Sequence, residues 1–270
     1  IKDPTGGHHD YGRQGTSTTH VLSKILTKLE ESYHVFLTPT GFGSVFLAIF
    51  SIVRPGDEII VADPVYSPTR LLTKDYLKDF NIKTKFYNPH DLNTIKKNIN
   101  KKTKLIFVEC PGSNTFEFQD LLKIVSIAKK NKIFTAIDNT WGTPYFLKPI
   151  KLGFDMSIVS ATKYYSGHSD VMGGSLAVNK KVFKKVRLAE KITGLRMGPD
   201  DAYLVTRGLR TLDVRLDRHQ SNAMKVASFL AKHKKIQLLY PFKKGSLDYN
   251  LWRKYYNCLL YTSPSPRDSS

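Results

Sequence analysis

Residues 154–174 read FDMSIVSATKYYSGHSDVMGG, and the pattern of that stretch sets the fold. An apolar, β-branched run, DMSIVSA, ends in small and hydroxyl residues. One lysine, Lys163, stands there with no charged neighbour until Asp170. GSLAVN then returns as a second apolar run. Most other lysines lie on charged helical faces such as KKVFKKVR. Working outward, the same alternation recurs. HVFLTP leads into a helix beginning near Gly43, and DEIIVAD into one beginning near Ser67. IKTKFYN precedes DLNTIKKNI, TKLIFVEC precedes FQDLLKIVSIAKKN, and KIFTAID follows. Near-continuous Val, Ile, Leu and Phe strands separated by helices of about 10 to 13 residues predict an α/β fold with a mostly parallel sheet and helices on both faces. After Lys180 the chain reads as mostly helical, over 180–193, 199–211 and 215–233, and no internal repeat stands out.

Open parallel sheets carry ligands outside the carboxyl ends of their strands. That rule singles out PTGFGS, DPVYSP, ECPGSN, DNTW and SATKYY, each directly after a strand and rich in glycine, hydroxyls or acids. One site assembled from five loops is the expectation.

The composition bounds the class. With 270 residues, 41% hydrophobic and 24% charged, the chain is globular and long enough for one large α/β domain plus part of a second. No apolar run approaches the roughly 18 residues of a membrane span. Nothing near Ile1 resembles a signal peptide. Two cysteines, Cys110 and Cys258, build neither a disulfide framework nor a metal cluster, so a reducing, cytoplasmic setting is expected and no metal. The net charge of +19 suggests nucleic acid. However, the lysines are scattered among Ile and Asn, and no helix-turn-helix, zinc-finger or RNP-type pattern is present. Neither a nucleic-acid partner nor a membrane is expected.

The chemistry rests on a few positions. A lysine amine attacks carbonyls only when deprotonated, and burial among neutral hydroxyls disfavours its charged form. Lys163 fits that role, the ordinary alternative being a snorkelling or salt-bridged side chain. Asp138 closes the apolar strand KIFTAID. It is either a helix cap or a carboxylate that keeps a pyridine nitrogen protonated. In TPTGFGS, a strand runs through Gly41 and Gly43 into a helix, whose free N–H groups form an anion site. Ser160 and Thr162 add hydroxyls, and Tyr66 either stacks on a flat ring or simply packs.

A phosphate cradle, a ring stacker, an acid for a ring nitrogen and a reactive lysine together describe pyridoxal phosphate. IDNTW, followed by SATKYYSGHSDVMGG, resembles the Cys/Met-metabolism family of fold-type I pyridoxal-phosphate enzymes. YGRQGTSTTHVLSKILTKLE looks like that family's phosphate-contacting segment, and TRGLRTLDVRL and NLWRKYY look like its later helices. The resemblance covers roughly residues 8–257.

The resemblance implies pyridoxal 5′-phosphate as cofactor, with Lys163 and Tyr66 catalytic. Lys163 would hold the cofactor as an imine and then act as general base. Asp138 would pair with the ring nitrogen, Gly41 and Phe42 would offer amides to the phosphate with Ser160 and Thr162 assisting, and Tyr66 would stack. Tyr11 and Arg13 would reach the phosphate of a neighbouring subunit, which implies a homo-oligomer: a dimer with shared sites, assembled into a tetramer. ECPGS and DNTW look most like the branch that β-eliminates cystathionine, an amino-acid substrate, to homocysteine, pyruvate and ammonia. The γ-synthase, γ-lyase and methionine γ-lyase branches are the alternatives.

The implied organisation is an arm over 1–14, a cofactor-binding domain over 15–214, the start of a truncated C-terminal domain over 215–257, and an adapter-like tail over 258–270. The second unit should leave Leu238, Leu239 and Trp252 short of partners. The family places its substrate-carboxylate arginine beyond this chain, and none of Arg187, Arg207, Arg210 or Arg215 matches its motif, so the chain as given is expected to be inactive. Two rival classes are weaker. A nucleotide-binding protein needs a phosphate loop that no stretch supplies, and a basic binding module leaves the five loops unexplained.

Overall fold

The computed structural model of the chain describes residues 14–240 and 244–256. Tyr11, Arg13 and the tail from Cys258 lie outside the described residues. Seven strands form one sheet: β1 (His34–Thr38), β2 (Glu58–Ala62), β3 (Lys83–Tyr87), β4 (Thr103–Glu109), β5 (Phe134–Asp138), β6 (Met156–Ser160) and β7 (Gly174–Val178), in the order β1-β7-β6-β5-β4-β2-β3. Strands β3, β2, β4, β5 and β6 run parallel, and β7 is antiparallel to β6 and β1. The returning run GSLAVN is therefore the strand that reverses direction. β2 and β7 are buried at every residue, which requires cover on both faces.

That cover comes from α1 (Ser17–Leu29), α2 (Gly41–Ile52), α3 (Ser67–Leu71), α4 (Leu77–Asp79), α5 (Asn93–Asn98), α6 (Leu121–Lys130), α7 (Thr143–Phe146), α8 (Pro149–Leu152), α9 (Lys180–Thr193), α10 (Pro199–Leu209), α11 (Leu212–Leu230) and α12 (Leu247–Tyr256). A π-helical turn, Leu72–Tyr76, joins α3 to α4. α2, GFGSVFLAIFSI, is apolar almost all round, as a helix buried on most sides must be. It lies along β1, β6 and β7 with α9 packed on it. The expected helices at 199–211 and 215–233 begin and end slightly differently, because the turn between them falls at Arg210 and Thr211.

One expectation fails. Trp252 does not lack partners: it is only 6% exposed, because α12 folds back over the first domain. Tyr256 Oη donates to the Cys110 carbonyl at 2.6 Å, and its ring meets Phe118 and Trp141 edge-on at 5.4 and 5.6 Å. Lys254 pairs with Asp120 at 3.1 Å, and Asp248 accepts the Phe118 N–H at 2.8 Å. Aromatic area and polar latches together hold the helix, so the sheet domain supplies what a second sheet was expected to supply. Leu239 does remain 51% exposed. No helix among the described residues is long and apolar enough to cross a membrane.

Candidate functional site

The site is built where α2 begins. Thr40 caps the helix, its Oγ1 accepting the Gly43 N–H at 2.8 Å, while the Ser44 N–H bonds to the Thr40 carbonyl. The Gly41 and Phe42 N–H groups precede any helical acceptor and point outward from the first turn. Gly41 is required there. A Cβ on it would lie 2.5 Å from Ser160 Oγ and 3.0 Å from Ser160 Cα, inside the space that separates α2 from the end of β6.

A cavity of about 470 Å³ opens against this helix end. Its walls include Thr40, Gly41 and Phe42, then Tyr66 after β2, Glu109 and Cys110 after β4, Asp138 and Thr140 at the end of β5, and Ser160, Thr162 and Lys163 after β6. All five strand-end loops singled out in the sequence thus contribute to one cavity. A second cavity, of about 710 Å³, shares Glu109, Thr140, Trp141, Thr162 and Lys163 with it and extends to Arg215 and His219 on α11.

Asp138 is held by the Thr140 N–H at 2.9 Å on Oδ1. Burial raises its carboxyl above the ordinary carboxylate range, opposed by the Thr140 hydrogen bonds. Among the described residues no cation pairs with it, so the position favours a cationic partner brought in from outside. Thr140 also accepts the Ser160 N–H on its hydroxyl at 2.9 Å, which ties the ends of β5 and β6 together.

The turn that carries Lys163 is fixed along its backbone. The Lys163 N–H bonds to the Ser160 carbonyl at 3.1 Å, and the Gly167 N–H to the Lys163 carbonyl at 2.9 Å. The Thr162 hydroxyl is already engaged. It donates to the Gly173 carbonyl at 3.2 Å and accepts the Gly173 N–H at 3.0 Å, so it can only accept further. Lys163 itself is not buried among hydroxyls, as the sequence suggested. Its side chain is exposed and lines the cavity. Tyr66 is likewise 49% exposed at the rim.

Two residues to which the sequence reading gave no role in the site support this arrangement. Arg215 donates from Nη1 to the Tyr164 carbonyl at 2.8 Å, from Nη2 to Gly208 at 2.9 Å and from Nε to Thr211 Oγ1 at 3.1 Å, so α11 grips the lysine turn. Glu109 lies beside Asp138 in strand register and accepts the Tyr66 N–H at 2.7 Å. Its signal was the acid that opens ECPGSN.

A mostly parallel sheet whose strand ends converge on a lysine, a half-buried acid without a cationic partner among the described residues and a helix N-terminus defines the fold-type I class of pyridoxal-phosphate enzymes. A solved structure from Campylobacter jejuni that contains N′-pyridoxyl-lysine-5′-monophosphate shows the likeness directly. It is 30% identical, with a TM-score of 0.87 over 92% of this chain and 70% of that one. More narrowly, the family model of Cys/Met metabolism PLP-dependent enzymes matches residues 2–260, and the chain belongs to that family. An L-alanine/L-glutamate racemase of Wolbachia pipientis is 36% identical over 258 residues, covering 95% of this chain and 63% of the relative. A cystathionine β-lyase of Coxiella burnetii is 34% identical over 235 residues, covering 86% and 60%. The chain therefore spans somewhat less than two thirds of the length of these curated relatives.

The family's cofactor is pyridoxal 5′-phosphate, and the residues present fit it. The cradle that a Cβ at Gly41 would fill suits a phosphate group, and the unpaired acid at Asp138 suits a protonated ring nitrogen.

Proposed function

We propose that the chain forms the cofactor-binding part of a carbon–sulfur lyase that cleaves cystathionine by β-elimination to homocysteine, pyruvate and ammonia. The observation that carries this reading is the meeting of Lys163, Asp138 and the α2 N-terminus in one cavity, within a chain of this family. The β-lyase branch is favoured by ECPGS at the end of β4 and by DNTW at the end of β5.

Pyridoxal 5′-phosphate, when bound, supplies an aldehyde for amines and a protonated pyridine ring that takes up an electron pair. The protein residues do the rest. The Gly41 and Phe42 N–H groups and the Ser160 hydroxyl would hold the phosphate, and Thr162 would offer an acceptor where a phosphate oxygen is protonated. Asp138 would keep its negative charge for the ring nitrogen, which stabilises both. Tyr66, whose turn sits at the cavity rim, would cover the ring. Lys163 is the amine that would hold the aldehyde and that, when free, would take the proton from substrate Cα. The pair left at Cα would form the Cα–Cβ double bond as the Cβ–S pair leaves on the sulfur, which takes up a proton as homocysteine, and water would convert the remaining three-carbon enamine to pyruvate and ammonia. Tyr11 and Arg13 are proposed to serve the phosphate of a neighbouring subunit in a homo-oligomer, in a cytoplasmic setting.

A second reading is amino-acid racemisation, favoured by the Wolbachia relative's coverage of this chain. It needs only the return of the Cα proton to the opposite face. The deciding experiment assays a version of the chain extended to the length of its relatives. Pyruvate and homocysteine from cystathionine support the β-lyase. Release of 2-oxobutyrate from cystathionine or methionine reassigns it to a γ-lyase, and D-alanine from L-alanine alone reassigns it to a racemase.

A further inference from the structure

Glu109 joins more of the site than any role assigned above requires. It closes β4 in register with Asp138 on β5, so two carboxyl groups stand side by side at the end of neighbouring strands. Its Oε2 accepts the Tyr66 N–H, and its main-chain carbonyl accepts Gln119 Nε2 at 2.8 Å. It lines both cavities. Tyr66 has no side-chain cap of its own at the start of α3; the Glu109 carboxyl takes its N–H, and the Ser113 N–H to the Pro64 carbonyl at 2.6 Å and Arg70 on Asp63 at 2.9 Å hold the rest of that turn.

Two adjacent carboxyl groups out of bulk water do not both ionise cheaply. Burial first, and then the Asp138 charge, push the Glu109 carboxyl up to about 9, against the lowering effect of the Tyr66 N–H and Ser113. The other titratable groups around it are Cys110 on its own strand end, Tyr66 after β2, Glu117 beside Gly112, Lys163 and Tyr164 on the β6 turn, and Arg215 and His219 on α11 across the outer cavity.

We propose that Glu109 is a positioning residue for the cofactor ring: held as a neutral acid, it latches the Tyr66 turn over the cavity and leaves the negative charge to Asp138 alone. The proposal rests on the pyridoxal-phosphate reading above. It separates the labour of the two carboxyl groups. One fixes the stacking residue by accepting a main-chain N–H, and the other meets the ring nitrogen. An ionised Glu109 would put a second negative charge beside Asp138, and would weaken the preference of Asp138 for being the partner.

The test titrates the full chain and its Glu109→Gln and Glu109→Ala variants with pyridoxal phosphate, following absorbance and tryptophan fluorescence from pH 7 to 10. Gln keeps an acceptor for the Tyr66 N–H and cannot ionise. It should bind at pH 7 within about twofold of wild type, whereas Ala should bind about fivefold more weakly, the size of one lost hydrogen bond to an N–H at the exposed rim. Wild type should lose affinity as pH rises past about 9, and Glu109→Gln should not lose it in that window. If Gln and Ala are equally impaired, or if wild type and Gln share one pH profile, the proposal is wrong while the cofactor reading stands. If wild type fails to bind pyridoxal phosphate at any pH, the cofactor reading and the proposal fall together.

Discussion

Glu30 gives a stability prediction that does not depend on the cofactor. It caps the C-terminus of α1, is fully buried, and accepts the Tyr165 hydroxyl at 3.3 Å on Oε1. Its Oε2 and the Ser157 hydroxyl are buried oxygens without hydrogen-bond partners, although Ser157 is near enough to act on the carboxyl. A proton on Glu30 removes the cost of an ionised carboxylate sealed away from water. Burial accordingly raises the carboxyl from 4.5 to about 8, against the pull of Tyr165, Ser157 and Lys148. Between those values the folded protein keeps a proton that the unfolded chain has released. Stability therefore falls as pH rises through that window, by about 1.4 kcal/mol per pH unit. Glu30→Gln removes the titration and keeps the shape. Near pH 5 the two proteins should differ by no more than about 1 kcal/mol, the cost of one imperfectly paired amide. Near pH 8 the variant should be more stable by roughly 3 kcal/mol. Urea unfolding followed by tryptophan fluorescence at several pH values measures this, with equal m-values as the control. A difference that stays constant from pH 5 to 8 would refute the reasoning.

Three further outcomes are expected. Asp138→Asn should lower turnover by about a hundredfold or more with little change in KM, because the ring loses its charge partner rather than its seat; near-normal kcat would make the acid a simple turn residue. Gly41→Ala should weaken pyridoxal-phosphate binding by about tenfold, since its Cβ would meet Ser160 Oγ at 2.5 Å. A fluorescence titration in which Gly41→Ala binds like wild type excludes the clash. Tyr256→Phe should cost about 1 kcal/mol in urea unfolding by stranding the Cys110 carbonyl; no change would mean that α12 is held by its aromatic contacts alone.

The strand ends were legible because their signal is local. A β-branched run that stops at Gly, Asp or Ser marks a loop whatever the rest of the chain does, and the sheet then brings PTGFGS, DPVYSP, ECPGSN, DNTW and SATKYY to one cavity. The reversal at β7 was less visible, since GSLAVN reads alike in either direction. What the sequence hid is long-range. The contacts of Tyr256 come from residues more than a hundred positions away, so α12 read as the start of something new. The exposure of Lys163 was hidden for a similar reason: neighbouring hydroxyls in sequence say nothing about whether the fold buries a side chain. Glu30 and Glu109 look like ordinary charged residues. Only the fold shows that one is sealed beneath the lysine turn and the other is pressed against Asp138.

The central claim is that Lys163 is the cofactor's covalent seat. The direct measurement is to load the chain with pyridoxal 5′-phosphate, reduce it with borohydride, and map the modified peptide by mass spectrometry. The account predicts one pyridoxyl group on the peptide that contains Lys163 and none after Lys163→Ala. Stable labelling of a different lysine, or equal labelling of the Ala variant, would contradict it.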